Sequence, residues 1–109
     1  KSPTRAEDTV QEPGMVTTDE PGVYIEGSHG IRTENELLCC AGAENEYGQF
    51  LHFETLTLAP IDLAPVRPEE MTAAERAWLN AYHARVYAEL APRLSEEERA
   101  FLAECTRAL

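Results

Sequence analysis

An α+β fold, an antiparallel sheet followed by helices, is predicted by three features of the sequence. β-Branched and aromatic residues concentrate between residues 14 and 58, broken by Gly and Pro turn signals. The run APIDLAPVRP at 59–68 holds three prolines and admits no regular element. Behind it lie two capping boxes, each followed by apolar residues at helical spacing. Strands first and helices after is the order of an antiparallel α+β domain. With 109 residues the chain amounts to at most one ordinary domain.

Each element has a local reason. Residues 1–13 (KSPTRAEDTVQEP) are polar with two prolines and read as a loop or extended lead-in. GMVTTDEPGVYIE (14–26) reads as a strand, a kink at Pro21-Gly22, then a short second strand. Gly27, Ser28, His29 and Gly30 form a turn, and IRTENELLCCA (31–41) is the returning strand. GAENEYGQ (42–49) is expected to be a polar loop. FLHFETLTL (50–58) alternates as a third strand, with Phe53, Thr55 and Thr57 on one side and His52, Glu54, Leu56 and Leu58 on the other. Thr72-Ala73-Ala74-Glu75 then caps a helix carrying Trp78, Tyr82, Val86 and Leu90 at i+4 spacing, which Pro92 ends. Ser95-Glu96-Glu97-Glu98 caps a second helix, with Phe101, Leu102 and Cys105 as its apolar face.

Composition excludes several classes. Hydrophobic residues make up 43% and charged residues 27%, a globular balance. Twenty acidic against nine basic residues give a net charge of −11, which argues against nucleic-acid and anionic-membrane partners. No apolar run approaches the roughly 18 residues of a membrane span, and no signal-peptide pattern opens the chain. Lys1 is the first residue where a Met would begin a gene product, so a longer parent protein is expected. The cysteines, Cys39, Cys40 and Cys105, show no C-x-x-C or Cys/His repeat, and Cys39 and Cys40 point to opposite faces of a strand. Three reduced thiols and a cytoplasmic location are the expectation.

The hairpin around Gly27 is where chemistry concentrates. A turn centred at Gly27 or Ser28 sets Glu20 opposite Glu34 or one diagonal step from it, with Tyr24 and Arg32 in the same parity. Facing carboxylates repel unless a guanidinium such as Arg32 or a divalent cation compensates. Carboxylate oxygens suit hard ions such as Mn²⁺, Mg²⁺ or Ca²⁺. Spacing alone leaves solvated surface charges as the alternative.

The residues themselves say more. Glu20-Pro21-Gly22 with Tyr24, then Gly30-Ile31-Arg32-Thr33-Glu34, closely resemble the C-terminal motif block of the M24 metallopeptidases, whose fold is the pita-bread fold of methionine aminopeptidase, creatinase and aminopeptidase P. FETLTLAPID (53–62) and WLNAYHARV (78–86) resemble the C-terminal extension of the longer Xaa-Pro aminopeptidases. The resemblance implies residues 1–62 as the C-terminal half of the catalytic domain, its metal-ligand hairpin at 14–41, and 63–109 as a two-helix extension. It implies that Glu20 binds one ion of a two-metal centre and Glu34 bridges both, with Tyr24 and Arg32 supporting the ligands and the bound water. It also implies a pair of Mn²⁺ or other divalent ions, a bridging water as nucleophile, peptide substrates with proline second, and a homodimer as the full-length protein.

The departures carry expectations too. The family centre takes two Asp, one His and two Glu, and only the two Glu match here, so the remaining ligands are expected before Lys1. The chain alone is accordingly expected to lack peptidase activity and bound metal. His29, His52 and His83 match no family ligand, and Thr33 stands where the family often has an aliphatic residue. The competing readings are a non-catalytic pita-bread protein-binding module and, for residues 69–109, a dimerisation element.

Overall fold

The computed structural model describes residues 9–109, and the lead-in expected over 1–13 lies outside the described residues as far as residue 8. The chain divides into two compact units, the first ending at Thr57 and the second running from Leu58 to Leu109.

The first unit is all β. Its strands are β1 (Val16–Asp19), β2 (Gly22–Ile25), β3 (His29–Arg32), β4 (Asn35–Asn45) and β5 (Gly48–Thr55). They form a three-stranded antiparallel sheet of order β1-β4-β5 and a two-stranded ribbon β2-β3. The ladders β1–β4 (Val16↔Leu38 to Asp19↔Asn35) and β2–β3 (Gly22↔Arg32 to Ile25↔His29) keep one register, so Glu20 falls opposite Glu34 and Pro21 opposite Thr33. Between them the ladder breaks, because Pro21 has no N–H to donate. Its carbonyl still accepts from the Thr33 N–H at 3.3 Å. The returning strand expected over 31–41 is therefore two strands, interrupted at Thr33-Glu34 opposite the proline. At the tip, the Ser28 N–H donates to the Ile25 carbonyl at 3.0 Å, and Gly27 takes φ +70°, a conformation that glycine enters without a Cβ penalty.

The polar loop expected at 42–49 is instead mostly ladder. β4 continues to Asn45 and β5 resumes at Gly48, leaving Glu46-Tyr47 as the connection. A register shift between Ala41 and Glu44 absorbs one extra residue of β4 as a bulge. The Gln49 side-chain amide donates to the carbonyls of Gly42 (2.8 Å) and Ala43 (3.3 Å), giving partners to groups that the shift unhooks from the ladder.

The second unit is irregular chain followed by α1 (Ala73–Leu90) and α2 (Glu96–Cys105). Both capping boxes form. The Glu75 N–H donates to Thr72 Oγ1 (3.2 Å) while Glu75 accepts from the Thr72 N–H (2.8 Å), and Ser95 and Glu98 repeat the exchange. The core is Leu63, Leu79, Tyr82, Val86, Ala91 and Leu102. The buried stripe of α1 is thus Leu79, Tyr82, His83 and Val86, at i, i+3, i+4 and i+7. Trp78, expected in that stripe, is 53% exposed, its indole stacked on the Tyr82 ring with centroids 5.5 Å apart. Of the apolar face expected on α2, Leu102 is buried as expected, whereas Phe101 is 73% exposed. Side chains of α1 tie down the proline-rich segment: Tyr82 Oη–H donates to the Ala59 carbonyl (2.8 Å), His83 Nε2 accepts from the Ile61 N–H (3.0 Å), and the Arg76 guanidinium donates to the Pro68 carbonyl. Asn80 holds the last residue, its Oδ1 accepting from the Leu109 N–H at 2.9 Å.

Candidate metal centre

The broken ladder of the first unit gathers four side chains. Residues 20, 22, 24 and 30, 32, 34 share one face of the hairpin, since side chains alternate along a strand. Arg32 lies between the two acids, with Nε 3.3 Å from Glu34 Oε2 and a terminal nitrogen 3.9 Å from Glu20 Oε2. The Tyr24 ring lies across the hairpin over Gly22 and Gly30. A Cβ at Gly30 would stand 2.8 Å from the ring, and one at Gly22 2.7 Å from the hydroxyl oxygen. Glycine at both positions is what lets the ring lie flat beside Arg32. The hydrogen bond to Tyr24, then the charges of Glu34 and Glu20, raise the Arg32 guanidinium above its ordinary pKa. These ion pairs are half exposed, so they orient side chains more than they stabilise the fold.

Glu20, Tyr24, Arg32 and Glu34 are therefore brought together as the spacing predicts. Thr18 completes the group: its hydroxyl donates to Glu20 Oε1 at 3.0 Å. It sits two residues before Glu20, hence on the same face, and that parity was its signal in the sequence. The opposite face of the ribbon is apolar, with Val23, Ile25 and Ile31 all at least half exposed.

The histidines lie elsewhere. His29 ends the tip of the ribbon, its Nδ1 2.9 Å from Ser28 Oγ. His52 stands across from Cys40 in β4–β5. His83 is 1% exposed and accepts from the Ile61 N–H, while its Nδ1 has no partner among the described residues; burial lowers its pKa. Cys39, Cys40 and Cys105 are all free thiols.

Two carboxylates on one face of an interrupted hairpin, with an arginine between them, offer the oxygen donors that hard cations prefer. Comparison with known proteins supplies the family. Residues 2–41 match "Metallopeptidase family M24" and residues 49–109 match "C-terminal region of peptidase_M24". The chain belongs to the M24 metallopeptidase family. Aminopeptidase P1 of Arabidopsis thaliana is 38% identical over 96 residues, covering 84% of this chain and 15% of that protein. A probable Xaa-Pro aminopeptidase P of Arthroderma benhamiae is 38% identical over 86 residues, 76% of this chain and 12% of that one. The crystal structure of an X-prolyl aminopeptidase from Caenorhabditis elegans, described as a cytosolic enzyme with a di-nuclear active site, superposes with a TM-score of 0.77 at 34% identity. That match covers 91% of this chain and 17% of the larger one. The chain thus spans less than a fifth of these relatives, and its antiparallel sheets and two helices are a part of the pita-bread fold.

Proposed function

We propose that this chain is the part of a dinuclear Xaa-Pro aminopeptidase that supplies two of its metal ligands, Glu20 and Glu34. The single observation that carries the reading is the pairing of these carboxylates across the broken ladder, with Arg32 held between them. The donors fit: both are acceptor-only oxygens, 48% and 39% exposed, and hard divalent ions such as Mn²⁺ prefer them. Glu20 and Glu34 would hold the ions through their carboxylate oxygens. When bound, such a pair of ions would supply Lewis-acid activation of a water and of the scissile carbonyl.

The chain's own residues do the rest. Thr18 and Arg32 orient Glu20, Arg32 orients Glu34, and Tyr24 helps keep Arg32 charged, an outer layer that orients ligands and tunes the water they help bind. Residues 1–62 are the C-terminal half of the catalytic domain and 63–109 its helical extension. The apolar back of the ribbon suits a face covered in the complete protein. The substrate is a peptide with proline in second position, the full-length enzyme is a cytoplasmic homodimer, and this chain alone, with two ligands, neither holds the metal pair nor cleaves peptides.

The test uses the full-length protein containing this chain. Glu20→Gln and Glu34→Gln are expected to lower the metal content per subunit and to abolish Xaa-Pro cleavage. Arg32→Ala, acting through the ligands, is expected to cost only about 10–100-fold. A Glu34→Gln enzyme with full metal content and full activity refutes the assignment.

A further inference from the structure

A second group of donors lies on β4–β5, and nothing above uses it. Pairing sets Cys40 directly across from His52 and Leu38 across from Glu54. Cys40, His52 and Glu54 therefore share one face, His52 straight across the ladder and Glu54 one pleat further along β5. The Cys40 Sγ, a His52 ring nitrogen and a Glu54 carboxylate oxygen all lie within 4.8 Å of one another. Among the described residues no other three His, Cys, Asp or Glu side chains converge in this way. Cys39, on the opposite pleat and buried, takes no part.

We propose that Cys40, His52 and Glu54 form a site for a zinc-class divalent cation, bound by one sulfur, one nitrogen and one oxygen, with a fourth position open. Zinc bonds of about 2.0–2.3 Å to these atoms place tetrahedral ligands about 3.3–3.7 Å apart, so the donors must close by about 1 Å. His52 and Glu54 are exposed and free to make that adjustment. The Cys40 thiol now donates weakly to the Leu38 carbonyl at 3.6 Å; on binding, its proton passes to solvent and the thiolate takes the cation. Burial, and then the charge of Glu54, raise the Cys40 pKa. The same Glu54 charge that opposes a lone thiolate favours a cation beside it.

The site is distinct from the carboxylate pair in place and in chemistry, and does not rest on the function proposed above. Cys40 lies about 20 Å along the chain from Glu34 in extended geometry. A thiolate and an imidazole select Zn²⁺ or Co²⁺, whereas carboxylates alone suit Mn²⁺ and Mg²⁺. The cluster also closes only through sheet pairing, since eleven residues of chain separate Cys40 from His52.

The experiment adds Co²⁺ to the reduced 109-residue chain and follows thiolate-to-cobalt charge-transfer absorption. One bound ion is expected, displaced by Zn²⁺ and left in place by Mn²⁺. Cys40→Ser removes the absorption, and His52→Ala weakens binding at least about tenfold through loss of one of three ligands. The two substitutions are independent, so misfolding of one variant, seen by circular dichroism, leaves the other decisive. Paired Glu20→Gln and Glu34→Gln substitutions leave the absorption unchanged. Its absence from the wild-type chain, its persistence in a folded Cys40→Ser or at full affinity in a folded His52→Ala, or its loss with the carboxylate pair overturns the proposal.

Discussion

Protonation of His83 should destabilise the helical unit by an amount that can be bounded. The imidazole is 1% exposed and its Nε2 accepts from the Ile61 N–H at 3.0 Å, so the folded state holds it neutral. A second ring proton would face that N–H, and the proton on Nδ1 has no acceptor among the described residues. Its pKa is accordingly lowered by burial. Because the folded value is depressed, this contribution is fully present above the unfolded value of about 6.5 and is lost as pH falls below it. The slope cannot exceed about 1.4 kcal/mol per pH unit for one proton, so the step from pH 7.5 to 5.5 removes at most about 1.4 kcal/mol. The assay is urea unfolding at both pH values, followed by fluorescence of Trp78, the one tryptophan, in α1. His83→Gln offers an amide oxygen at similar reach and cannot charge, so its two curves should differ by clearly less. Equal pH dependence in the wild type and the Gln variant refutes the reasoning. His83→Ala, which strips Ile61 of its acceptor and leaves a cavity, should cost about 2–4 kcal/mol at pH 7.5.

Other outcomes follow from the same geometry. Val86→Ala, at a position with no exposed surface, should lower stability by about 2 kcal/mol in the same urea assay. Thr72→Ala and Ser95→Ala each remove an N-cap and should cost about 1 kcal/mol apiece; a pair of neutral substitutions would mean that the caps do not hold the helices. Incubated with Mn²⁺ and an Xaa-Pro peptide, the isolated chain should release no N-terminal residue by mass spectrometry, and measurable turnover would disprove the two-ligand reading.

Legibility in the sequence followed the range of the forces involved. Both capping boxes and the stop at Pro92 are decided within four residues, and they form where expected. The facing of Glu20 and Glu34 was also legible, because the tight turn at Gly27 sets a register that carries through the proline. The break at Thr33-Glu34 was less so: its cause, the missing donor of Pro21, sits on the other strand. Ladder over residues 42–45 was hidden by polar composition, since an exposed hairpin end needs no apolar alternation and the bulge scrambles what remains.

The sequence by itself determined the order of elements, the helix ends, the family and the polar face of the ribbon, all of which rest on neighbours a few residues apart. Only the tertiary structure decided which stripe of α1 is buried. The i+4 row from Trp78 gives Tyr82 and Val86 to the core and the row one 100° step away gives Leu79 and His83, while Trp78 itself stays exposed; packing against Leu63, Ala91 and Leu102 set that rotation. It likewise put His83 under the Ile61 amide and Cys40 across from His52, because the partners come from chain segments whose approach no local preference sets.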